Sequence, residues 1–176
     1  MEHKGIDCRY IANKIIIETN KTKDKNSLIL TSVRLSKLVL LIDIAYMHKH
    51  KKMLIKNAYA WWSKGIALPN IYYSYRGTVG NPLLKEVAVL DNLTQKEYEQ
   101  KLDVKLRNEI NDIVENVLET TRYIDTLDLI DLLMVDIDED EDTIIYKEEI
   151  WDIYKKFDFN KLKELNEKEK QEICGV

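Results

Sequence analysis

Glycine, proline, cysteine and histidine are all scarce in this 176-residue chain, which holds 5, 2, 2 and 3 of them. So little glycine and proline leaves few turn formers for a many-stranded sandwich and none for a glycine-rich phosphate cradle, so helices are the default. Cys8 and Cys174 lie near opposite ends without metal-ligand spacing. A disulfide framework would need more cysteines, and a reducing compartment is the simpler expectation. No charged-then-apolar leader opens the chain, and the longest apolar-rich stretch, Leu38 to Met47, is far too short to span a bilayer. These absences predict a soluble, unexported, cytoplasmic protein with no membrane partner. His3, His48 and His50 read as surface residues, and no nucleophile elbow, zinc-protease helix motif or P-loop is present. The expectation is therefore no enzyme, no catalytic residue and no cofactor.

Charge is the next bound. The net charge of -4 supplies no global field to draw the chain onto nucleic acid, so a nucleic-acid partner is not expected. The signs segregate nonetheless. The N-terminal half is Lys-rich, densest at His48-Lys49-His50-Lys51-Lys52, whereas Asp136 to Asp142 is strongly acidic. Such polarity suits docking to a charged partner, but two solvated turns are the preferred reading.

The length fits one domain with a sizeable core. Helical spacing of Ile6, Tyr10, Ile11, Ile15 and Ile16 predicts a first helix over residues 6 to 18, closed by the polar break at 20 to 26. Thr31 offers an N-cap hydroxyl, and Val33, Leu35, Leu38, Val39, Ile42, Ala45 and Tyr46 predict a largely buried second helix from Ser32 to His48. A short extended piece follows near residues 54 to 62, the small β element of an otherwise mainly α fold. Pro69 suits a first helical turn, so Asn70 to Arg76 is predicted helical and ended by Gly77 and Gly80-Asn81-Pro82. Thr94 and Glu97 read as a capping box opening one long amphipathic helix to about Thr120, and Asp125 as the cap of a short helix bearing Leu127 to Leu133. The last apolar helix carries Ile150, Trp151, Ile153, Tyr154 and Phe157. From residue 161 to 176 the Lys/Glu-rich chain reads as a tail, a frayed, solvated helix beyond a helical domain at 1 to 160.

Two segments carry candidate chemistry. Asp138, Asp140, Asp142, Ile145 and Glu149 fall on positions 1, 3, 5, 8 and 12 of a calcium-binding loop, but Thr143 stands where the sharp turn calls for glycine, and no second such loop pairs with it. A solvated loop capping the last helix with negative charge is the competing reading and the one preferred. Tyr59, Trp61, Trp62, Tyr72, Tyr73 and Tyr75 crowd aromatic side chains into seventeen residues. Trp and Tyr dominate interface hot spots and are equally good core anchors. Trp62, Tyr72 and Tyr75 are expected mostly in the core, with Trp61 and Tyr73 facing outward as partner-binding candidates beside Asp138, Asp140 and Asp142.

The same residues resemble a known family. Leu30-Thr31, Arg34-Leu35 and Lys37-Leu38 match an L-T-x-x-K-L-x-K-L helix start; Trp62 and Gly65 match a W-x-x-G-P-V corner; Pro69, Ile71, Tyr72 and Tyr75 match P-x-V-Y-x-x-F. From about Ile11 to Tyr75 the chain thereby resembles the Panacea domain of bacterial antitoxins and phage-associated proteins. It departs at Ile66, where that family has proline, and at Lys51, where it has glycine. The resemblance implies a mostly helical antitoxin that neutralises a cognate toxin by direct binding, and no cofactor or catalytic residue comes with it. Two other readings stand beside it. One is a phage or prophage anti-defence or protease-adaptor protein acting on a host factor. The weaker is a DNA-binding regulator that would use the second helix or the Asn70 to Arg76 helix. Neither the partner's identity nor the oligomeric state follows from these residues.

Overall fold

The structure, a computed structural model, describes residues 4–24, 26–76 and 85–175. His3 and the predicted stop at Gly77, Gly80, Asn81 and Pro82 lie outside them. The fold is mainly helical with one small antiparallel sheet, as expected. The helices are α1 (Cys8–Lys21), α2 (Ser32–His50), α3 (Pro69–Tyr75), α4 (Gln95–Gln100), α5 (Val104–Thr121), α6 (Thr126–Leu133), α7 (Lys147–Tyr154) and α8 (Phe159–Cys174). The strands are β1 (Tyr59–Trp62), β2 (Gly65–Ala67) and β3 (Ile144–Ile145), in the order β2-β1-β3. No described helix is long and apolar enough to cross a membrane.

Helix α2 is the axis of the core. Thr31 Oγ1 accepts from Arg34 N at 3.1 Å, as its N-cap position predicted, and 13 of its 19 residues are buried. It packs against α1, α3, α5, α6 and α7, so its apolar surface runs nearly all the way round. Its end differs from expectation: it runs two residues further, to His50, and stops at Lys51 in a left-handed conformation with φ 58°. That geometry favours glycine, the residue the resembled family carries there.

Asp43 lies in the middle of α2 and is fully buried. Its Oδ1 accepts from Leu54 N at 2.7 Å and Ile55 N at 3.3 Å, and its Oδ2 accepts from Tyr59 Oη at 2.8 Å. One carboxyl thus ties the helix to the segment that enters β1. Asn13 of α1 does the same for the chain after residue 85. Its Oδ1 accepts from Tyr75 Oη and Val87 N, and its Nδ2 donates to the Val87 carbonyl and Gln95 Oε1.

Two helical expectations are corrected. The single long helix from Thr94 to Thr120 is two. The Thr94/Glu97 capping box opens α4 as predicted, but Asp103 accepts from Lys105 N and Leu106 N and caps a fresh helix, α5. An aspartate that can bond its own downstream amides competes with helix continuation. The tail, in turn, is helical as expected, but its helix begins at Phe159 and its start is packed, not frayed. Leu162 is 1% exposed, and Asn166 accepts from Tyr123 N and donates to the Glu119 carbonyl, so the first two turns of α8 pack on the end of α5. Periodicity hid this because, beyond residue 161, α8 carries only Leu162 and Leu165 as apolar residues before Ile173. Leu162→Ala should lower stability by about 3 kcal/mol, as deletion of a core leucine does, with a matching drop in the urea midpoint. A frayed tail would leave that midpoint unchanged.

Candidate docking groove

The residues of the two family-like motifs meet in space. α2 supplies the floor, the β1–β2 hairpin one wall and α3 the other. Between them lies an open groove of about 380 Å³, lined by Ser32, Ser36, Lys37, Trp62, Lys64, Gly65, Tyr72, Tyr73, Glu141 and Asp142 among others.

The hairpin sits against α2 through side-chain bonds to its backbone. Lys37 Nζ donates to the Ile66 carbonyl at 2.8 Å, and Leu68 N donates to Ser36 Oγ at 3.2 Å. Ser63 and Lys64 make the turn, and Gly65 follows at φ 89°, a left-handed value open to glycine. A Cβ there would also stand 3.4 Å from Lys37 Nζ and from Met134 Sδ. Pro69 then opens α3 at its first position, as predicted.

Lys37 is 2% exposed, and among the described residues no carboxylate pairs with it. Burial pushes its ammonium down to about 8. Because the folded protein releases this proton more readily than the unfolded chain, stability from this group is absent below pH 8 and rises as pH climbs to 10.5. Lys37→Met should abolish that rise, which amounts to about 3 kcal/mol in the wild type. Paired urea titrations at pH 7.5 and 10 measure it; parallel pH profiles for the two proteins would refute it.

Arg34, the other cation of the first motif, is 5% exposed. Its guanidinium donates to the Ile124 and Thr121 carbonyls at 2.7 and 3.0 Å, closing the C-terminal end of α5. Desolvation lowers it to about 10, against the opposing pull of Asp125. Arg34 and Lys37 are thus both under the surface, and the exposed cation of α2, Lys49 near its C-terminal end, is paired with Glu109. Leu35 and Leu38 are core residues.

The aromatic expectations divide. Tyr75 is buried, as predicted, with its hydroxyl donating to Asn13 Oδ1 at 2.7 Å. Tyr73 is exposed, as predicted, at 61%. Tyr72 is not in the core: it is 38% exposed. On a helix of seven residues the inner stripe holds only Ile71 and Tyr75, four apart, and Tyr72 falls beside it. Trp62 is half-buried on the groove, and Trp61 is half-buried against the core instead of turned outward. Strand alternation sends the two tryptophans to opposite faces, and the second face of so small a sheet is partly covered. The rings of Trp62 and Tyr72 meet edge to face at 5.3 Å and 88°, and those of Tyr72 and Tyr73 at 5.4 Å and 78°. Arg76 stacks over Tyr73, 5.1 Å from the ring centre. The indole N–H of Trp62 is buried and finds no acceptor among the described residues.

The acidic loop arrives at this groove through β3. Trp61 N donates to the Thr143 carbonyl at 2.9 Å, Asp142 N donates to the Trp61 carbonyl at 2.8 Å, and Ser63 N donates to Glu141 Oε1 at 3.3 Å. Asp142 and Glu141 thereby stand on the rim. Asp138 and Asp140 are exposed and do not line the groove. Asp138, Asp140, Asp142 and Glu149 do not converge into a calcium site. Glu149 instead accepts from Tyr146 N at 2.7 Å and caps α7, and among the described residues no three Asp, Glu, His or Cys groups are placed to hold a metal ion.

Two features escaped the sequence reading. Glu141 lines the groove, although the alternation of Asp138, Asp140 and Asp142 in the sequence singles out its neighbours. His48 and His50 are half-buried, not plain surface groups. His48 Nε2 lies 2.8 Å from the Tyr154 carbonyl, while His50 stacks on Tyr46 with its Nε2 2.5 Å from Glu109 Oε1. They do point to different sides, as two-residue spacing requires.

Comparison of the chain with family models, curated proteins and solved structures finds no match.

Proposed function

We propose that this chain is a cytoplasmic antitoxin of a bacterial toxin–antitoxin system, a protein-binding domain that neutralises its toxin by covering the toxin's working surface. The observation that carries the reading is the groove itself. Partly exposed Trp62, Tyr72 and Tyr73 stand on a buried scaffold beside the acidic rim, and aromatic side chains held this way bury large area at little entropic cost. The Panacea resemblance supports it: of its motif residues Lys37, Trp62, Gly65 and Tyr72 line the groove, Thr31 and Pro69 open the helices that flank it, and Arg34, Leu35, Leu38 and Tyr75 hold those helices to the rest of the fold. Acidic loop residues would speed association with a basic toxin surface more than they deepen affinity.

The test is co-expression with the product of each adjacent reading frame, followed by tagged pull-down. A neighbour that is toxic alone, harmless together and recovered at a fixed ratio is the expected result. If no neighbour is toxic and nothing is recovered, the antitoxin reading falls and an anti-defence or adaptor role against a host factor replaces it.

A further inference from the structure

The groove has a chemical preference of its own. Three rings, those of Trp62, Tyr72 and Tyr73, stand in successive near-perpendicular pairs around one cavity, and their negative faces suit a cation. Arg76 already uses the Tyr73 ring in this way. The charges lining the cavity are Lys37, Lys64, Glu141 and Asp142, equal in number but not in placement. Lys37 is held beneath Gly65 by the Ile66 carbonyl, and Lys64 sits exposed on the hairpin turn. Glu141 and Asp142 form the rim and continue into Asp136, Asp138, Glu139 and Asp140. Two carboxylates therefore stand at the rim of the same cavity as the three rings.

We infer that this groove seats the cationic side chain, arginine or lysine, of a basic segment on the protein partner, between the rings of Trp62, Tyr72 and Tyr73 and the carboxylates of Glu141 and Asp142. That the occupant belongs to a protein rests on the proposed function; the cationic preference does not. Arginine fits better, because its planar guanidinium stacks on a ring and forks onto a carboxylate at the same time.

The indole N–H of Trp62 gives a direct reporter, since the chain has three tryptophans and hence three indole signals in an amide correlation spectrum. Titration with acetyl-triarginine amide should move the Trp62 signal and leave that of Trp151 in place, while acetyl-tricitrulline amide and acetyl-triglutamate amide move neither. The double variant Tyr73→Ala/Asp142→Asn changes two exposed side chains, so its fold should be retained, and it should weaken the response about ten-fold. Tyr73→Phe keeps the ring and should preserve the response. No shift with the arginine peptide, equal shifts with citrulline, or a double variant that responds like the wild type would each overturn the inference. Pull-down of a neutralised toxin separates the two readings. A toxin held equally by wild type and double variant sinks the cationic pocket and leaves the antitoxin reading standing. A Trp62 shift with no toxin recovered does the reverse.

Discussion

Asp43→Ala is expected to destabilise the protein by about 4 kcal/mol at pH 4.5, because three groups lose their acceptor together: Leu54 N, Ile55 N and the Tyr59 hydroxyl, each leaving an unsatisfied polar group at roughly 1–3 kcal/mol. Against a typical total stability of about 5–15 kcal/mol, this single change removes a large share. The effect depends on pH in a defined direction. Burial raises the Asp43 carboxyl to about 6 from 3.8. The folded protein holds the proton that the unfolded chain has already released, so wild-type stability falls as pH rises through that window. Alanine carries no such proton, and its deficit should shrink to about 2 kcal/mol at pH 7. Asp43→Asn supplies the control. Its Oδ1 still accepts from the two amides and its Nδ2 can donate to the Tyr59 oxygen, so it should match the wild type at pH 4.5 and exceed it at pH 7. Urea midpoints of the three proteins across pH 4.5 to 7.5 decide the matter. Alanine and asparagine variants that track each other at every pH would show that the carboxyl is not the tie between α2 and β1.

Arg34→Ala ranks second. Both hydrogen bonds run from a charged donor to carbonyls at the end of α5, and each such bond contributes about 1.5–3 kcal/mol. Relief of the buried charge offsets part of this, leaving an expected loss of about 3 kcal/mol. The damage should be local before it is global: amides between Thr121 and Leu129 should exchange faster in the variant, while those of α1 keep their protection. Arg34→Lys, which installs the residue of the resembled family, reaches one carbonyl and not both. It should recover about half of the loss, because a single ammonium cannot fork as the guanidinium does. If lysine restores full stability, one carbonyl contact suffices and the clamp is not bidentate in effect.

The legible part of this fold was local. The Thr31, Thr94 and Asp125 caps opened helices where the hydroxyl or carboxyl preceded an apolar run, because a cap acts over three residues and needs no distant partner. Pro69 at the first position of α3 was legible for the same reason. Asp103 was within reach of that logic too, yet the helical spacing of Val104, Ile110 and Val114 ran across it and concealed the break. β2 and β3 were missed outright: three and two residues carry no periodicity, and each exists only because β1 pairs with both.

The candidate site was half legible. The aromatic crowding at residues 59 to 75 and the acidic run at 136 to 142 are plain in the letters, and so is the helix start at Thr31. That they form one groove is not, since Asp142 and Trp61 are eighty-one positions apart and only the β1–β3 ladder brings them together. Which rings face outward was decided by how much of each short element the core could cover, and this put Tyr72 outside and Trp61 half inside.

By itself the sequence determined a mainly helical chain, the caps of its helices, the burial of α2 and the absence of a membrane-crossing helix among the described residues, all consequences of spacing within a few turns. Only the tertiary structure decided that Arg34 and Lys37 are internal clamps, that Asp43 ties α2 to the sheet, that α8 packs, and that rings and carboxylates share one wall. Those outcomes depend on contacts between residues far apart in the chain, where burial and hydrogen bonding override what each residue prefers alone.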